Sequence, residues 1–152
     1  MEKNIYEALR ESHEIQRSLF RRLMRATPEG GKRQSIFREL RIEMEAHEAA
    51  EERFLYAPIL MDDMGLNSAR HALAEHHDID ECVDEVGKVD VRDDGWYELV
   101  KKLSHLVHHH LREEETKFFQ VSGKILSDAE KLKLAKKYEA DYQRMKKKLA
   151  ES

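Results

Sequence analysis

At 152 residues the chain has room for one domain around a single core and not for two. Charged residues make up 38% of it and aromatics only 7%, with six Gly and two Pro, a balance that fits long amphipathic helices and excludes a strand-rich fold. The net charge of −4, with Lys and Arg spread along the whole length, excludes a basic footprint for nucleic acid or an anionic membrane surface.

Turn-forming stretches at ATPEGGKRQ, DDMGLNS, GKVDVRDDG and VSGKILSDAE divide the chain into five periodic segments. Helix A is predicted from about Asn4 to Arg25, with an inward stripe of Tyr6, Leu9, His13, Gln16, Phe20 and Leu23. Helix B runs from Lys32 to Met61 and turns Phe37, Leu40, Met44, His47, Glu51 and Leu55 inward. Helix C, Asn67 to Val86, does so with Leu73, His76, Ile79, Val83 and Val86. Helix D, Asp94 to Gln120, contributes Val100, Leu103, Val107, His110, Glu114 and Phe118. Helix E, Asp128 to Leu149, opens on SDAE, a capping-box pattern in which Ser127 and Glu130 satisfy each other's amides.

The first half is repeated in the second. A shift of 63 places sets His13 on His76, His47 on His110, Glu51 on Glu114 and Glu52 on Glu115, and it superimposes core positions such as Leu40 on Leu103 and Tyr56 on Phe119. A shift of 62 puts His13 on Glu75, and one of 64 puts His47 on Leu111, so neighbouring registers lose the match. The interval from the first to the second histidine is 34 residues in both halves. Two helical hairpins of one plan build a four-helix bundle.

Four of the nine histidines and two glutamates therefore lie within apolar faces. His109 shares its side with Lys102, His105 and Glu113, and His108 with Lys101, Arg112 and Glu115, so these read as solvated or supporting residues. Burying two carboxylates among Leu and Val without partners costs several kcal/mol each. A glutamate four residues after a histidine on helices B and D lets both reach one point, so His13, His47, Glu51, His76, His110 and Glu114 are the expected metal ligands. Six such donors exceed what one tetrahedral zinc needs, and carboxylates can bridge, which points to two metals. Imidazole with carboxylate and no inward thiolate suits iron, with zinc or manganese as substitutes.

These residues resemble the hemerythrin-like, or HHE cation-binding, family over roughly residues 4 to 123: one His on helices A and C, HEAAEERFLYAP from His47, and HLREEETKFF from His110. The resemblance implies an up-down-up-down bundle around a non-haem di-iron centre, oxo- or hydroxo-bridged, with those same six ligands. The Glu-x-x-His pattern of ferritin-like proteins is missing, since Arg10, Met44, Leu73 and Val107 stand three residues before the histidines. Oxygen-carrying hemerythrins take a second His from the third helix; here the positions one turn from His76 hold Ala72 and Asp80. Asp80 is a candidate ligand or hydrogen-bond partner.

The expected organisation is a bundle over 1–126 and an amphipathic helix over 127–152 that packs on the bundle or on a second copy or protein partner. The expected function is reaction with a small oxidant, dioxygen, peroxide or nitric oxide, with oxygen- or peroxide-reducing enzymatic activity an open question; the alternative is a non-catalytic iron-handling or redox-sensing module. Nucleic acid and membranes are not expected partners. One Cys and no apolar run in MEKNIYEALRESHEIQ point to the cytoplasm. Cys82 reads as a small buried hydrophobe, and Tyr56 and Phe119 as residues one turn beyond the glutamates that line the bundle end, with a hydrogen bond to a ligand or a guard over the site's entry as the alternative for Tyr56.

Overall fold

In the computed structural model, which describes residues 2–152, four helices form an up-down-up-down bundle and a fifth packs along its side, with no strand among the described residues. The first, α1, is Ile5–Arg25. It starts at Asn4, whose side chain accepts from the Glu7 amide while Glu7 returns the bond, a capping box the sequence already spells. Gly30 and Gly31, at φ 85° and 79°, make the turn into α2, a left-handed conformation that favours glycine.

The second helix, α2, opens as Lys32–Glu51, passes through a wide π-helical turn at Glu52–Tyr56 and ends as Ala57–Leu60. α3 is Leu66–Gly87. The connection depends on Gly65, where a Cβ would stand 2.7 Å from the Ile59 carbonyl oxygen. α4 begins as Asp94–Glu113, widens at Glu114–Phe118 and finishes as Phe119–Ile125. It thus outlasts the expected end at Gln120: Ser122, fully buried, meets the Tyr6 hydroxyl at 2.8 Å and holds the last turn against α1. α5, Asp128–Ala150, starts at the expected Ser127–Glu130 capping box and packs on α1 and α2.

Apolar residues gather in two clusters. One joins the start of α1, the end of α2, the start of α3, the end of α4 and α5, including Ile5, Leu9, Leu55, Ile59, Phe118 and Tyr138. The other joins the opposite ends, including Phe20, Leu23, Leu40, Val86, Trp96 and Leu103. Cys82 belongs to this second cluster and is buried, as its sequence context suggests. Each fully buried Leu, Ile or Phe contributes about 1.5–3 kcal/mol, and these layers offset the cost of the polar layer enclosed between them. No helix among the described residues is long and apolar enough to cross a membrane.

Candidate metal centre

The layer between the clusters contains all six residues that helical periodicity selects. His13, His47, Glu51, His76, His110 and Glu114 are each at most 3% exposed. They form two groups, His13 and His47 with Glu51 and Glu114, and His76 and His110 with the same two glutamates, and within each group the donor atoms lie within 4.8 Å of one another. Both carboxylates belong to both groups. Glu51 Oε1 is 3.3 Å from Nε2 of His47 and 3.3 Å from Nε2 of His76. Glu114 turns Oε1 towards His13 Nε2 at 3.1 Å and Oε2 towards His110 Nε2 at 3.7 Å.

Every histidine presents Nε2 to the centre because its Nδ1 is engaged from behind. Nδ1 of His13 donates to Glu115 at 2.7 Å, that of His76 to Glu52 at 2.8 Å, and that of His110 to Glu75 at 2.8 Å. A carboxylate cannot donate, so Nδ1 carries a proton and Nε2 is the atom left to face inward. Nδ1 of His47 pairs instead with the Tyr138 hydroxyl of α5 at 2.8 Å.

The wide turns position the aromatic residues beyond the glutamates. Amides of Ala57 and Phe119 reach back five residues, to the carbonyls of Glu52 and Glu114. A π turn takes in one more residue than an α turn, and at both of these turns two successive side chains are buried: Leu55 with Tyr56, and Phe118 with Phe119. Tyr56 takes the second of the two roles its sequence position allowed and reaches into the centre; its hydroxyl donates to Glu114 Oε2 and lies 3.3 Å from His76 Nε2.

The electrostatics are those of imidazoles and carboxylates crowded at one buried point. Burial opposes charge on His13, but Glu114 and Glu115 outweigh it and push the imidazole up to about 9. Burial likewise disfavours charged His76, and the surrounding carboxylates still raise it well above its usual range. Burial works against ionised Glu51, yet His47 and His76 hold it well below the usual carboxylate range. Burial and the Glu114 carboxylate push the Tyr56 phenol far up, so it stays a donor. Nε2 of His13, Nε2 of His47, both oxygens of Glu51 and Oε1 of Glu114 are buried without a hydrogen-bond partner. Nε2 of His76 and Nε2 of His110 face each other at 3.1 Å. Two such lone pairs repel unless a proton or a cation lies between them, so the donor set fits bound metal.

Asp80 is exposed and joins neither group. His77 is also exposed and pairs with Glu81, while half-buried His108 bonds Ser104 and packs at a tilt against Phe20. Sequence reasoning missed Glu75 and Tyr138 as supports because each acts on a histidine of another helix and neither recurs in the repeat, where Ser12 stands at the position equivalent to Glu75. It could have found Glu52 and Glu115 in the doubled glutamate of each repeat.

A family model for the hemerythrin HHE cation-binding domain matches residues 4–121. No match was found among curated proteins. The crystal structure of a hemerythrin HHE cation-binding domain-containing protein from Mycobacterium kansasii superimposes with a TM-score of 0.86 at 24% identity, over 96% of this chain and 89% of that one. That likeness is one of fold.

Proposed function

This chain belongs to the hemerythrin HHE cation-binding domain family, and from that membership we propose that His13, His47, Glu51, His76, His110 and Glu114 hold two iron ions that react with a small oxidant: dioxygen, peroxide or nitric oxide. The observation that carries this reading is the set of buried, unpartnered donor atoms converging from four helices, in two groups that share both carboxylates. Iron is preferred because the donors are imidazole and carboxylate and the single thiol, Cys82, lies in the apolar cluster away from them.

When bound, iron would supply a redox-active cation with coordination positions that the protein donors leave to a small molecule. The chain's own residues do the rest. Glu51 and Glu114 link the two groups. Glu52, Glu75 and Glu115 fix three imidazoles in the Nδ1–H tautomer and raise their basicity. Tyr56 holds a proton at its hydroxyl oxygen, directed at Glu114. Leu55, Phe118 and Phe119 keep bulk water from the bundle end. A cleft of about 250 Å³ between α3 and α4, lined by Ala72, His110, Glu114 and Phe118 among others, gives a small oxidant a way in.

A non-catalytic iron-handling or redox-sensing role is favoured by one contact, Tyr138 on His47, which ties α5 directly to a ligand. One experiment separates the readings. The protein is purified from iron-replete cells, its metal content is measured, and its visible spectrum is recorded before and after dithionite, peroxide and nitric oxide. We expect iron near two per chain and redox-sensitive absorption. Rapid peroxide consumption selects the enzyme, and spectral change without turnover selects the sensor. Stoichiometric zinc with a featureless spectrum would refute both.

A further inference from the structure

The outer side of α3 and α4 carries a second constellation that the buried centre does not use. His71 and Glu75 on α3, and His109 and Glu113 on α4, repeat the four-residue His-to-Glu spacing of the buried pairs, which sets both members on one helix face. His71 Nε2 lies 2.9 Å from Glu113 Oε1 and 3.5 Å from Glu75 Oε2. His109 Nε2 lies 2.9 Å from Glu113 Oε2 and 3.6 Å from Glu75 Oε2. Donor atoms of His71, Glu75 and Glu113 all fall within 4.8 Å of one another. The carboxylates are the covered members, at 18% and 23% exposure, and the imidazoles the open ones, at 58% and 54%. Two imidazoles and two carboxylates are four donors of the kinds a divalent transition metal takes, three of them already converged and His109 beside them on Glu113.

The repeat supplies an independent contrast. The positions 63 residues earlier are Ala8, Ser12, Ala46 and Ala50, all buried on the side that α5 covers. Where a helix packs, these four sites are small; where the bundle is open, all four carry a metal-ligating side chain. The open side also borders the cleft, which His71, Glu75 and Glu113 line together with His110 and Glu114 of the buried centre. Glu75 joins the two sites, with Oε2 on the surface imidazoles and Oε1 on His110 Nδ1.

We propose that His71, Glu75, His109 and Glu113 form a third cation site, which takes one divalent transition-metal ion, zinc or ferrous iron, at the mouth of the cleft. Its second role, staging ions bound for the buried centre, rests on the proposal that the buried centre holds iron. The metal-stripped full chain and its His71→Ala/His109→Ala variant are dialysed to equilibrium against zinc, with Glu113→Gln as a second variant and far-ultraviolet dichroism to verify folding. The variants are expected to bind one zinc ion fewer than the unsubstituted chain. Equal zinc in all of them overturns the site. One ion in the unsubstituted chain and none in the double variant upholds the site and sinks the buried reading instead. For staging, uptake of ferrous iron followed by visible absorption is expected to slow about tenfold in the double variant. An unchanged rate, or no uptake into the buried centre by the unsubstituted chain, overturns that role.

Discussion

The hairpin of α1 with α2 and the hairpin of α3 with α4 carry the same inward histidines and glutamates in different surroundings. His13, His47, Glu51 and Glu52 have counterparts in His76, His110, Glu114 and Glu115. The supports even cross over: Glu115 of the second hairpin holds His13 of the first, and Glu52 of the first holds His76 of the second. Symmetry fails at two places. His47 is backed by a phenol from α5 and His110 by the Glu75 carboxylate, and Tyr56 donates into the centre where Phe119 cannot. The two groups therefore need not be equivalent although the repeat is: asymmetry comes from the fifth helix and from one hydroxyl.

The most severe disruption is expected at the shared carboxylates. Glu51→Ala and Glu114→Ala should each lower metal affinity of both groups by more than about 100-fold, beyond the usual effect of losing a supporting residue, as read by metal content after dialysis. If only one group empties, the carboxylates are not shared.

Loss of a crossed support should cost less. Glu52→Ala and Glu115→Ala are expected to weaken binding about 10- to 100-fold and by similar amounts, because their roles are equivalent. Glu75→Gln should fall in that range, and Tyr138→Phe below it, since a phenol is a weaker partner for an imidazole than a carboxylate. Equal effects of Glu75→Gln and Tyr138→Phe would remove the asymmetry between the two hairpins.

Protons compete with metal at these same ligands. In the metal-free chain His13 is raised to about 9, so binding at neutral pH must expel its proton. Affinity should rise by about tenfold per pH unit for each proton released, and the contribution of His13 should level off above about 9. The sign reverses for stability without metal. The His13 pairing stabilises the empty fold fully below the ordinary imidazole value of about 6.5 and is lost as pH rises through the raised one. Thermal melts of stripped protein across that window would check this. The smallest effect is expected from Tyr56→Phe, which makes the two hairpins alike at that position: metal content unchanged, visible absorption shifted.

The six central residues were legible because two features coincided, the His-to-Glu interval of four and a repeat that holds in only one register. Each stripe selected from periodicity lies on the inner side, from Leu9 and Phe20 in α1 to Val100 and Phe118 in α4. The supports were harder to see, because all four act on histidines of other helices, and Glu75 and Tyr138 lack even the repeat that singles out Glu52 and Glu115. The wide turns left one trace, two adjacent apolar residues just past each glutamate pair, Leu55–Tyr56 and Phe118–Phe119.

Those turns also set where the chain tolerates a change of length. Each already holds one residue more than a regular helix requires, so a single-codon deletion there can be absorbed by reverting to ordinary α geometry, with His47, Glu51 and His110 upstream left in place. The same deletion in the first half of α2 or α4 would rotate every ligand after it by about 100°. Natural length variation in this architecture should therefore concentrate just after the acidic pairs, and there it would retune the aromatic end while sparing the imidazoles.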